Sequence, residues 1–422
     1  MKKFEDFLKK AYPEKADGAI RLGKAKLEHI YDTEVLLPMN MLNRHGLIAG
    51  TTGTGKSRAA QLIAEQLSEK GIPVIFSDVK GDVSNFARKG DKEKTSERAQ
   101  QLNHEYSPQA YPCTYWGLSG KFVPLKFKLS ETDPVFVSKL MGLNLTQESH
   151  LNIVFIYARE NGFKLADLSD LEKLISYMNE KKIAGLDSRS LDVIQRKLIE
   201  LKAGGFGTLF GGKPIELGDL FGRLYGKGII NVFNLSDVRE NPRVFTVSMA
   251  LLLHKLFTEL EDVEDTGKPK IAVFFDEAHY LFKNSNRTLV ELMTTMLRQI
   301  RSKGVAVFFI TQEPQDISED VLGLLSLKVQ FALRAFTKND IDDIRALARG
   351  FPVSEFYKIE DEIKKLEVGE ALVASLDEKG MLLQPVKTIL YPPRSSMAQI
   401  DIKEIAETTK KTALYKKYSA KN

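Results

Sequence analysis

Short apolar runs alternate with helical patterns along most of the chain. Runs of β-branched and aromatic residues that are bounded by helical stretches are typical of strands buried in a parallel sheet. Such runs predict core strands at residues 46–49, 74–77, 229–233, 271–275, 305–310 and 329–333. Between them, apolar residues recur with helical spacing over 243–260 and 286–302. This alternation predicts an α/β fold with a doubly wound, mainly parallel sheet, whose ligands bind at the carboxyl ends of the strands.

The predicted core is divided by a long segment of a different character. This segment shows mostly helical patterns with polar and charged faces, together with one strand-like run at 114–116. We interpret it as a large, mostly helical insertion between two parts of one core. The chain is accordingly divided into a short N-terminal extension, the first part of the core, the insertion, the second part of the core and a basic C-terminal tail: residues 1–40, 41–83, 84–227, 228–392 and 393–422.

The composition is that of a globular protein from a reducing compartment. Hydrophobic residues make up 43% and charged residues 28% of the 422 residues, which is ordinary for a globular protein. Cys113 is the single cysteine, so no internal disulfide can form. No apolar run approaches the roughly 20 residues that cross a bilayer, and the lysines at positions 2 and 3 precede an acidic amphipathic stretch rather than a signal-peptide core. We therefore expect a cytoplasmic protein without a membrane segment.

Positive charge is concentrated near the C-terminus. The whole chain carries a net charge of +5, which is too small to indicate nucleic-acid binding by itself. Residues 403–422 contain six lysines and two glutamates, so they contribute six minus two, or +4. The segment after Pro393 is expected to extend away from the core. It is interpreted either as a solvated helical tail or as an arm that contacts a phosphate backbone or a partner.

One eight-residue motif carries the strongest chemical signal. The pattern G-x-x-x-x-G-K-[ST] follows the first predicted core strand and precedes a helical pattern. The backbone N–H groups of such a loop and the N-terminus of the next helix bind phosphates, the lysine reaches the β- and γ-phosphates, and the hydroxyl group binds Mg²⁺. The motif predicts a nucleoside triphosphate site built from Gly50, Thr51, Thr52, Gly53, Thr54, Gly55, Lys56 and Ser57.

Two acidic residues follow the predicted strand at 271–275. Asp276 is expected to bind Mg²⁺, and Glu277 to orient and deprotonate the water that attacks the γ-phosphate. Acidic residues at a strand end also act as helix caps, but together with the phosphate loop they predict a hydrolytic site. A protein that uses nucleotide only as a switch needs no base beside the metal ligand, so Glu277 favours an enzyme.

Further polar residues follow other strands at the same edge. Gln312 follows the strand at 305–310 and is predicted to hydrogen-bond the water and the γ-phosphate, the alternative being a simple strand-end cap. Asp78 follows the strand at 74–77, where a contact with the Mg²⁺ shell and simple capping are both open. Arginines stabilise the charge that develops on the γ-phosphate, and multimeric motors often supply one from the neighbouring subunit. The candidates are Arg44, Arg298, Arg301 and Arg334.

Several segments together resemble the HerA/FtsK superfamily of ATPases, in particular the HerA-like branch that includes the bacterial YjgR proteins. The resemblance implies a RecA-like core, ATP with Mg²⁺, and a ring of six subunits. The matching segments, which span most of the chain, are residues 41–50, 78–82, 274–279, 309–312, 333–337 and 368–372.

The resemblance also implies roles for individual residues. Arg301 resembles the arginine that reaches into the site of the adjacent subunit, and Arg44 resembles one that acts within its own subunit. The positions that match the Walker A motif, the Walker B motif and the glutamine sensor are, in that order, Lys56 and Ser57, Asp276 and Glu277, and Gln312.

The function implied by this resemblance is an ATP-hydrolysing ring motor. The first hypothesis is a DNA translocase or helicase-like enzyme, with DNA in the central channel of a homo-hexamer. A motor that moves or remodels a protein, and a slow-turnover ATP-dependent assembly scaffold, are the alternatives. HerA carries an N-terminal β-barrel that docks a nuclease, whereas about 40 residues precede the core here, so the resemblance does not extend to a nuclease partner.

Overall fold

The structure is a computed structural model of the chain. It describes residues 2–13, 18–81, 85–238, 240–263, 267–283, 285–312, 314–335, 337–398 and 401–420. Asp82 and Phe336, which belong to two of the segments that resemble the HerA/FtsK superfamily, lie outside these described residues.

Strands are distributed over the whole chain. In chain order they are β1 (Ile20–Lys26), β2 (Ile30–Leu37), β3 (Gly46–Ala49), β4 (Val74–Asp78), β5 (Cys113–Gly117), β6 (Val123–Pro124), β7 (Arg223–Leu224), β8 (Lys227–Gly228), β9 (Ile230–Asn234), β10 (Ile271–Phe275), β11 (Val305–Thr311), β12 (Leu327–Gln330), β13 (Glu370–Ala374) and β14 (Val386–Leu390).

Helices connect most of these strands. In chain order they are α1 (Lys2–Ala11), α2 (Lys56–Glu69), α3 (Lys92–Gln101), α4 (Pro134–Met141), α5 (Leu145–Glu160), α6 (Leu168–Glu180), α7 (Ser188–Ala203), α8 (Leu217–Leu220), α9 (Pro242–Glu259), α10 (His279–Lys283), α11 (Arg287–Gln299), α12 (Glu319–Leu322), α13 (Lys338–Arg349), α14 (Ile359–Lys365), α15 (Ile402–Lys410) and α16 (Ala413–Ser419). Within the described ranges, none of them combines the length and apolar character needed to cross a bilayer.

Twelve of the strands in the described ranges form one sheet, in the order β2-β1-β14-β13-β12-β3-β11-β10-β4-β9-β5-β6. From β12 to β6 every neighbouring pair is parallel. The strands β2, β1, β14 and β13, which lie side by side, extend the sheet with antiparallel pairs. β7 and β8 form a separate hairpin. The predicted α/β fold with a mainly parallel sheet is therefore confirmed.

Both faces of the central strands are covered. On β10, Phe274 packs in the cluster that includes α2, whereas Phe275 packs in the cluster that includes α9 and α11. Because successive side chains of a strand point to opposite faces, a strand covered on both sides is apolar throughout. Phe76, Phe274 and Phe308 lie in register on neighbouring strands, with ring centroids 5.3 and 4.6 Å apart. These stacked rings align β4, β10 and β11 and so determine where each strand ends.

The N-terminal extension and the insertion both contribute strands to the sheet. β1 pairs with β14 at one edge, where a Cβ atom on Gly23 would lie 1.9 Å from the carbonyl oxygen of Ile389, so only glycine fits. At the other edge, β5 contains the strand expected at 114–116, and β6 lies beside it. The other described residues of the insertion are mostly helical. The boundaries between the proposed segments stay a prediction.

The structure departs from the predicted pattern after β12. The strand ends at Gln330 rather than at 333, because the following residues turn to support the phosphate loop: the N–H of Thr51 donates to the carbonyl group of Ala332 at 3.0 Å. Helix α13 then adds an element that the apolar pattern does not predict. The helix is rich in charged residues, and Ile344 is its buried residue.

The chain after β14 folds back onto the molecule, so the expectation that it extends away is wrong for the described residues. Residues 393–398, here called the C-terminal strap, run along α2. The buried carboxylate of Glu65 on α2 accepts hydrogen bonds from the N–H groups of Arg394 (2.7 Å) and Ser395 (2.9 Å), and from the hydroxyl group of Ser395. Arg58, in the first turn of α2, donates to a carbonyl group of the strap at 2.7 Å.

Helices α15 and α16 continue this packing beyond the strap. The ring of Tyr418 is buried and meets Trp116 edge to face, with centroids 5.3 Å apart. Its hydroxyl group accepts a hydrogen bond from the N–H of Glu216 at 2.9 Å. The described part of the basic tail is therefore attached to the insertion.

Burial raises the pKa of Glu65 to about 7, although the hydrogen bonds from the strap oppose the shift. Because this pKa is higher in the folded protein than in the unfolded chain, the stability that Glu65 contributes is fully present below about pH 4.5 and is lost as the pH rises through about 7. Glu65→Gln cannot ionise. We expect its unfolding free energy to rise relative to that of the wild type by the order of 1–3 kcal/mol between pH 5 and 8. Denaturant titrations at several pH values measure this difference, and a difference independent of pH would contradict the prediction.

Candidate active site

Three parallel strands end side by side. β3 pairs with β11, with Ala49 opposite Thr311, and β11 pairs with β10, with Phe309 opposite Phe275. The carboxyl ends of these strands meet at one edge of the sheet. The phosphate loop, Gln312 and the two acidic residues follow these ends, so the structure brings the predicted Walker A, Walker B and glutamine positions together.

A cavity of about 430 Å³ opens at this edge. The phosphate loop beside this cavity is fixed by Thr54, whose carbonyl group accepts a hydrogen bond from the N–H of Gly369 at 2.9 Å. The residues that line the cavity come from the phosphate loop, from α2 and from the ends of neighbouring strands: Thr52, Gly53, Gly55, Lys56, Ser57, Arg58, Lys80, Asp276, Glu277, Gln312 and Val368.

Two glycines allow the phosphate loop to pass close to Phe331. Gly50 has a φ of 151° and Gly55 a φ of 123°, a range that favours glycine. A Cβ atom on Gly50 would lie 2.5 Å from Cβ of Phe331, and one on Gly55 would lie 2.9 Å from its ring. A side chain at either position would push the loop off its support.

Lys56 is the first residue of α2 and is buried. Its ammonium group donates a hydrogen bond to the carbonyl group of Thr51 at 2.9 Å, so the side chain lies back across the loop. The first N–H groups of a helix have no partner within it, and its N-terminus carries a partial positive charge. Together with the charge of Lys56, this end of α2 favours a bound phosphate chain.

The oxygen ligands of a Mg²⁺ site lie in the same cavity. Ser57 supplies a hydroxyl group and Asp276 a carboxylate, which are the donors that Mg²⁺ accepts beside substrate phosphates. The backbone N–H of Asp276 donates to the hydroxyl group of Ser77 at 2.9 Å, which ties the end of β10 to β4. These residues fit Mg²⁺ bound to a nucleotide.

Asp78, the third predicted metal ligand, has a different environment. It is fully buried and does not line the cavity. One of its carboxylate oxygens accepts a hydrogen bond from the N–H of Gly81 at 2.6 Å. Of the two roles left open by the sequence, the structure shows the capping contact.

Glu277 is held by several side chains. Its Oε1 accepts a hydrogen bond from Nε2 of Gln312 at 2.8 Å and forms an ion pair with Lys80. Nδ1 of His279 lies 3.3 Å from Oε2. Oε1 of Gln312 in turn accepts a hydrogen bond from the hydroxyl group of Thr52 at 2.5 Å, so the predicted base and the predicted sensor are linked to the phosphate loop.

The backbone of Glu277 is unusual. Its φ is +48°, in the left-handed region that residues other than glycine rarely adopt. Such a conformation costs of the order of 1 kcal/mol or more and is found most often at functional sites. It turns the chain sharply after β10 and places consecutive acidic residues on the wall of one cavity.

Sequence reasoning did not single out Lys80 and His279 as site residues. Both lie within quoted segments of the resemblance, 78–82 and 274–279. A lysine or a histidine after a strand is by itself an ordinary surface or capping residue. The pairing of β4 with β10 brings Lys80 to Glu277, and the turn after β10 brings His279 back to it.

The predicted arginines are divided between the amino-terminal and the carboxyl-terminal ends of the central strands. Arg301 precedes β11 and Arg44 precedes β3, so both lie at the amino-terminal edge, whereas the cavity lies at the carboxyl edge. The seven residues of β11 separate these edges by roughly 20 Å. Arg301 and Arg298 line a second cavity, of about 680 Å³. Arg334 follows β12 and is exposed.

A buried histidine fastens the amino-terminal edge. Nδ1 of His45 accepts a hydrogen bond from the N–H of Val307 at 3.1 Å, so Nε2 carries the proton that is donated to the carbonyl group of Leu297 at 3.0 Å. Burial lowers the pKa of His45 to about 4, and the charge of Arg301 contributes to the shift. The neutral imidazole therefore connects β3, β11 and the end of α11 beside both arginines.

Comparison with a family model covers nearly the whole chain. Residues 24–422 match the model described as helicase HerA-like C-terminal. The DNA double-strand break repair helicase HerA of Sulfolobus acidocaldarius is 23% identical over 363 residues, which are 84% of this chain and 66% of that protein. The chain thus spans just under two thirds of the length of this relative.

Solved structures share the fold. The bacterial conjugative coupling protein TrwBΔN70 superposes with a TM-score of 0.60 at 14% identity, over 93% of this chain and 94% of that one. The plasmid coupling protein TrwB in complex with ADP and Mg²⁺ gives a TM-score of 0.56 at 15% identity, over 91% of this chain and all of that one. The predicted RecA-like architecture is therefore confirmed.

Lys56→Ala tests the phosphate loop. The substitution removes the positive charge beside the helix N-terminus, so we expect the affinity for a non-hydrolysable ATP analogue to fall by about tenfold or more. Titration of a fluorescent analogue measures this. Lys121→Ala is the matched control, because Lys121 forms an ion pair with Asp237 at 3.1 Å and does not line the cavity. Equal affinity of Lys56→Ala and the control would refute the site.

Proposed function

Because this chain belongs to the HerA-like C-terminal helicase family, we propose that it is an ATP-hydrolysing motor that translocates DNA in a helicase-like manner. The observation that carries the proposal is the position of Glu277 beside Gln312, in one cavity with Lys56, Ser57 and Asp276. A base, a phosphate loop and metal ligands are thus combined in one site. DNA as the polymer is proposed from the relative in Sulfolobus acidocaldarius, which is a DNA double-strand break repair helicase.

The proposed reaction assigns a step to each group of residues. The loop N–H groups and Lys56 bind the phosphate chain, and Ser57 and Asp276 hold Mg²⁺, which when bound neutralises charge on the phosphate oxygens. Gln312 orients a water molecule against the γ-phosphate. Glu277 accepts a proton from that water. At the same time the oxygen of the water bonds to the γ-phosphorus, and the bond between the γ-phosphorus and the bridging oxygen breaks.

Arginines from a neighbouring subunit complete the proposed site. Arg301 lies at the edge of the sheet opposite its own cavity, so we propose that it reaches the γ-phosphate bound by the next subunit. The in-cis role implied for Arg44 does not fit its position at the same edge as Arg301, and we assign Arg44 to the subunit interface as well. Head-to-tail contacts of this kind form rings when the rotation between subunits closes. We propose a homo-hexamer with DNA in its central channel, working in the cytoplasm.

Phosphate release in the presence of duplex DNA tests the function. We expect DNA to stimulate ATP hydrolysis severalfold and the stimulation to fall steeply with salt, because binding to a phosphate backbone releases counterions. Glu277→Gln should still bind ATP but hydrolyse it at least about a hundredfold more slowly, since it removes the base.

Each outcome of this assay has a distinct meaning. Hydrolysis that an assembled ring carries out equally well with and without DNA would exclude DNA as the driving polymer and favour a protein substrate or an assembly scaffold. Glu277→Gln turnover within about twofold of wild type would exclude Glu277 as the base.

Mixing experiments test the position of Arg301. Arg301→Ala should bind ATP but not hydrolyse it, because the charge developing on the γ-phosphate loses its guanidinium partner. If the arginine acts on the next subunit, mixed rings of Arg301→Ala and Glu277→Gln contain some interfaces with both wild-type residues. Partial recovery of phosphate release is then expected. Mixed rings, verified by native mass spectrometry, that show no recovery would place Arg301 outside the reaction of the next subunit.

A further inference from the structure

Lys80 lies in the same cavity as the phosphate loop, although the reaction above does not use it. It follows β4, in the turn that the carboxylate of Asp78 caps through Gly81. The carbonyl group of Asp78 also accepts a hydrogen bond from the N–H of Leu235 at 2.9 Å, so the base of this turn is fixed to β9. The flexible stem of Lys80 leads from this support into the cavity.

The ammonium group of Lys80 contacts the oxygen of Glu277 that already receives a hydrogen bond. Oε1 of Glu277 is paired with Lys80 and accepts the hydrogen bond of Gln312. Oε2 is buried, and among the described residues no donor forms a hydrogen bond with it. Both contacts therefore hold the same carboxylate oxygen, and Oε1 stays occupied while the ion pair with Lys80 persists.

Of the three side chains around Glu277, Lys80 is the one that can change partner. His279 is buried, with 10% of its side chain exposed, and Gln312 is tied to Thr52. The side chain of Lys80 is 34% exposed and has several rotatable bonds. A γ-phosphate held by the loop would offer it a second anionic partner within the same cavity.

We propose that Lys80 is a positioning residue that exchanges between two anions, the carboxylate of Glu277 and the γ-phosphate of ATP. This inference rests on the proposed function. When the γ-phosphate is bound, Lys80 moves to it and releases Glu277, which then accepts the proton of the attacking water. ADP has no γ-phosphate and leaves the ion pair intact. The base is thus freed only when there is a bond to hydrolyse.

A static role for Lys80 makes the opposite prediction for nucleotide affinity. If Lys80 stays on Glu277, it screens the negative charge of the carboxylate from the γ-phosphate. Removing the charge of Glu277 would then change the affinity for the ATP analogue little when Lys80 is present and more when Lys80 is absent. If Lys80 exchanges, removing the charge of Glu277 also liberates Lys80 for the phosphate, so the gain in affinity is larger when Lys80 is present.

A double-mutant cycle on the full-length protein in its native assembly distinguishes these cases. The dissociation constants of the β,γ-imido analogue of ATP and of ADP are measured for wild type, Glu277→Gln, Lys80→Met and the double variant. We expect Glu277→Gln to tighten binding of the ATP analogue about five- to tenfold with Lys80 present, and less than about twofold in the Lys80→Met background, as for loss of one ion pair of ordinary strength. ADP affinity should change by less than about twofold throughout.

The controls separate this inference from the proposed function. Lys139→Met removes another lysine from an ion pair, with Glu148 at 2.7 Å, outside the cavity, and should leave the effect of Glu277→Gln unchanged. Lys80→Arg keeps the charge and should preserve the effect, which provides a second test if Lys80→Met folds poorly. An equal or larger effect of Glu277→Gln in the Lys80→Met background would overturn the exchange and leave the ATPase proposal intact. Failure of the wild type to bind the analogue would overturn both.

Discussion

The parallel pairing of β3, β11 and β10 is the constraint on which the rest of the structure depends. These strands are buried on both faces, and stacked phenylalanine rings align β10 with β11, so those two cannot slide without exposing aromatic surface to water. Their common register brings the phosphate loop, the sensor glutamine and the acidic pair to one edge. Chemistry at this edge is therefore a consequence of core packing, since a shift of one residue in β10 would reverse which side chains face the nucleotide.

Residues defined by local motifs could be located from the sequence. Lys56 and Ser57 begin the helix that follows a loop whose conformation depends on its own glycines, and Asp276 and Glu277 directly follow a recognisable strand. Contacts between distant segments could not be located in this way. The pairing of Lys80 with Glu277 depends on which strand neighbours β10, and the edge occupied by Arg44 depends on the direction of β3. The strand of the insertion was visible in its aromatic residues, whereas α13, which is rich in charged residues and buries Ile344, was not.

The distribution of charge over two edges explains why one chain is not a complete catalyst in our proposal. The carboxyl edge provides phosphate binding and a base, while Arg44 and Arg301 lie at the other edge, where the buried, neutral His45 links the neighbouring backbone segments. An uncharged imidazole at that point adds no repulsion to the nearby guanidinium groups. In the proposed ring, a movement at one nucleotide would be transmitted to the next subunit, because a densely packed sheet does not absorb the movement.

The C-terminal strap has a consequence for how the protein is made. The carboxylate of Glu65 is buried beneath residues that follow it by 330 positions in the sequence. During synthesis, α2 therefore leaves the ribosome long before the groups that donate hydrogen bonds to this carboxylate are made. Until then α2 lacks part of its covering, and its carboxylate lacks the hydrogen-bond donors that make burial tolerable. The packing of this helix is thus completed only after residues 394 and 395 have been made.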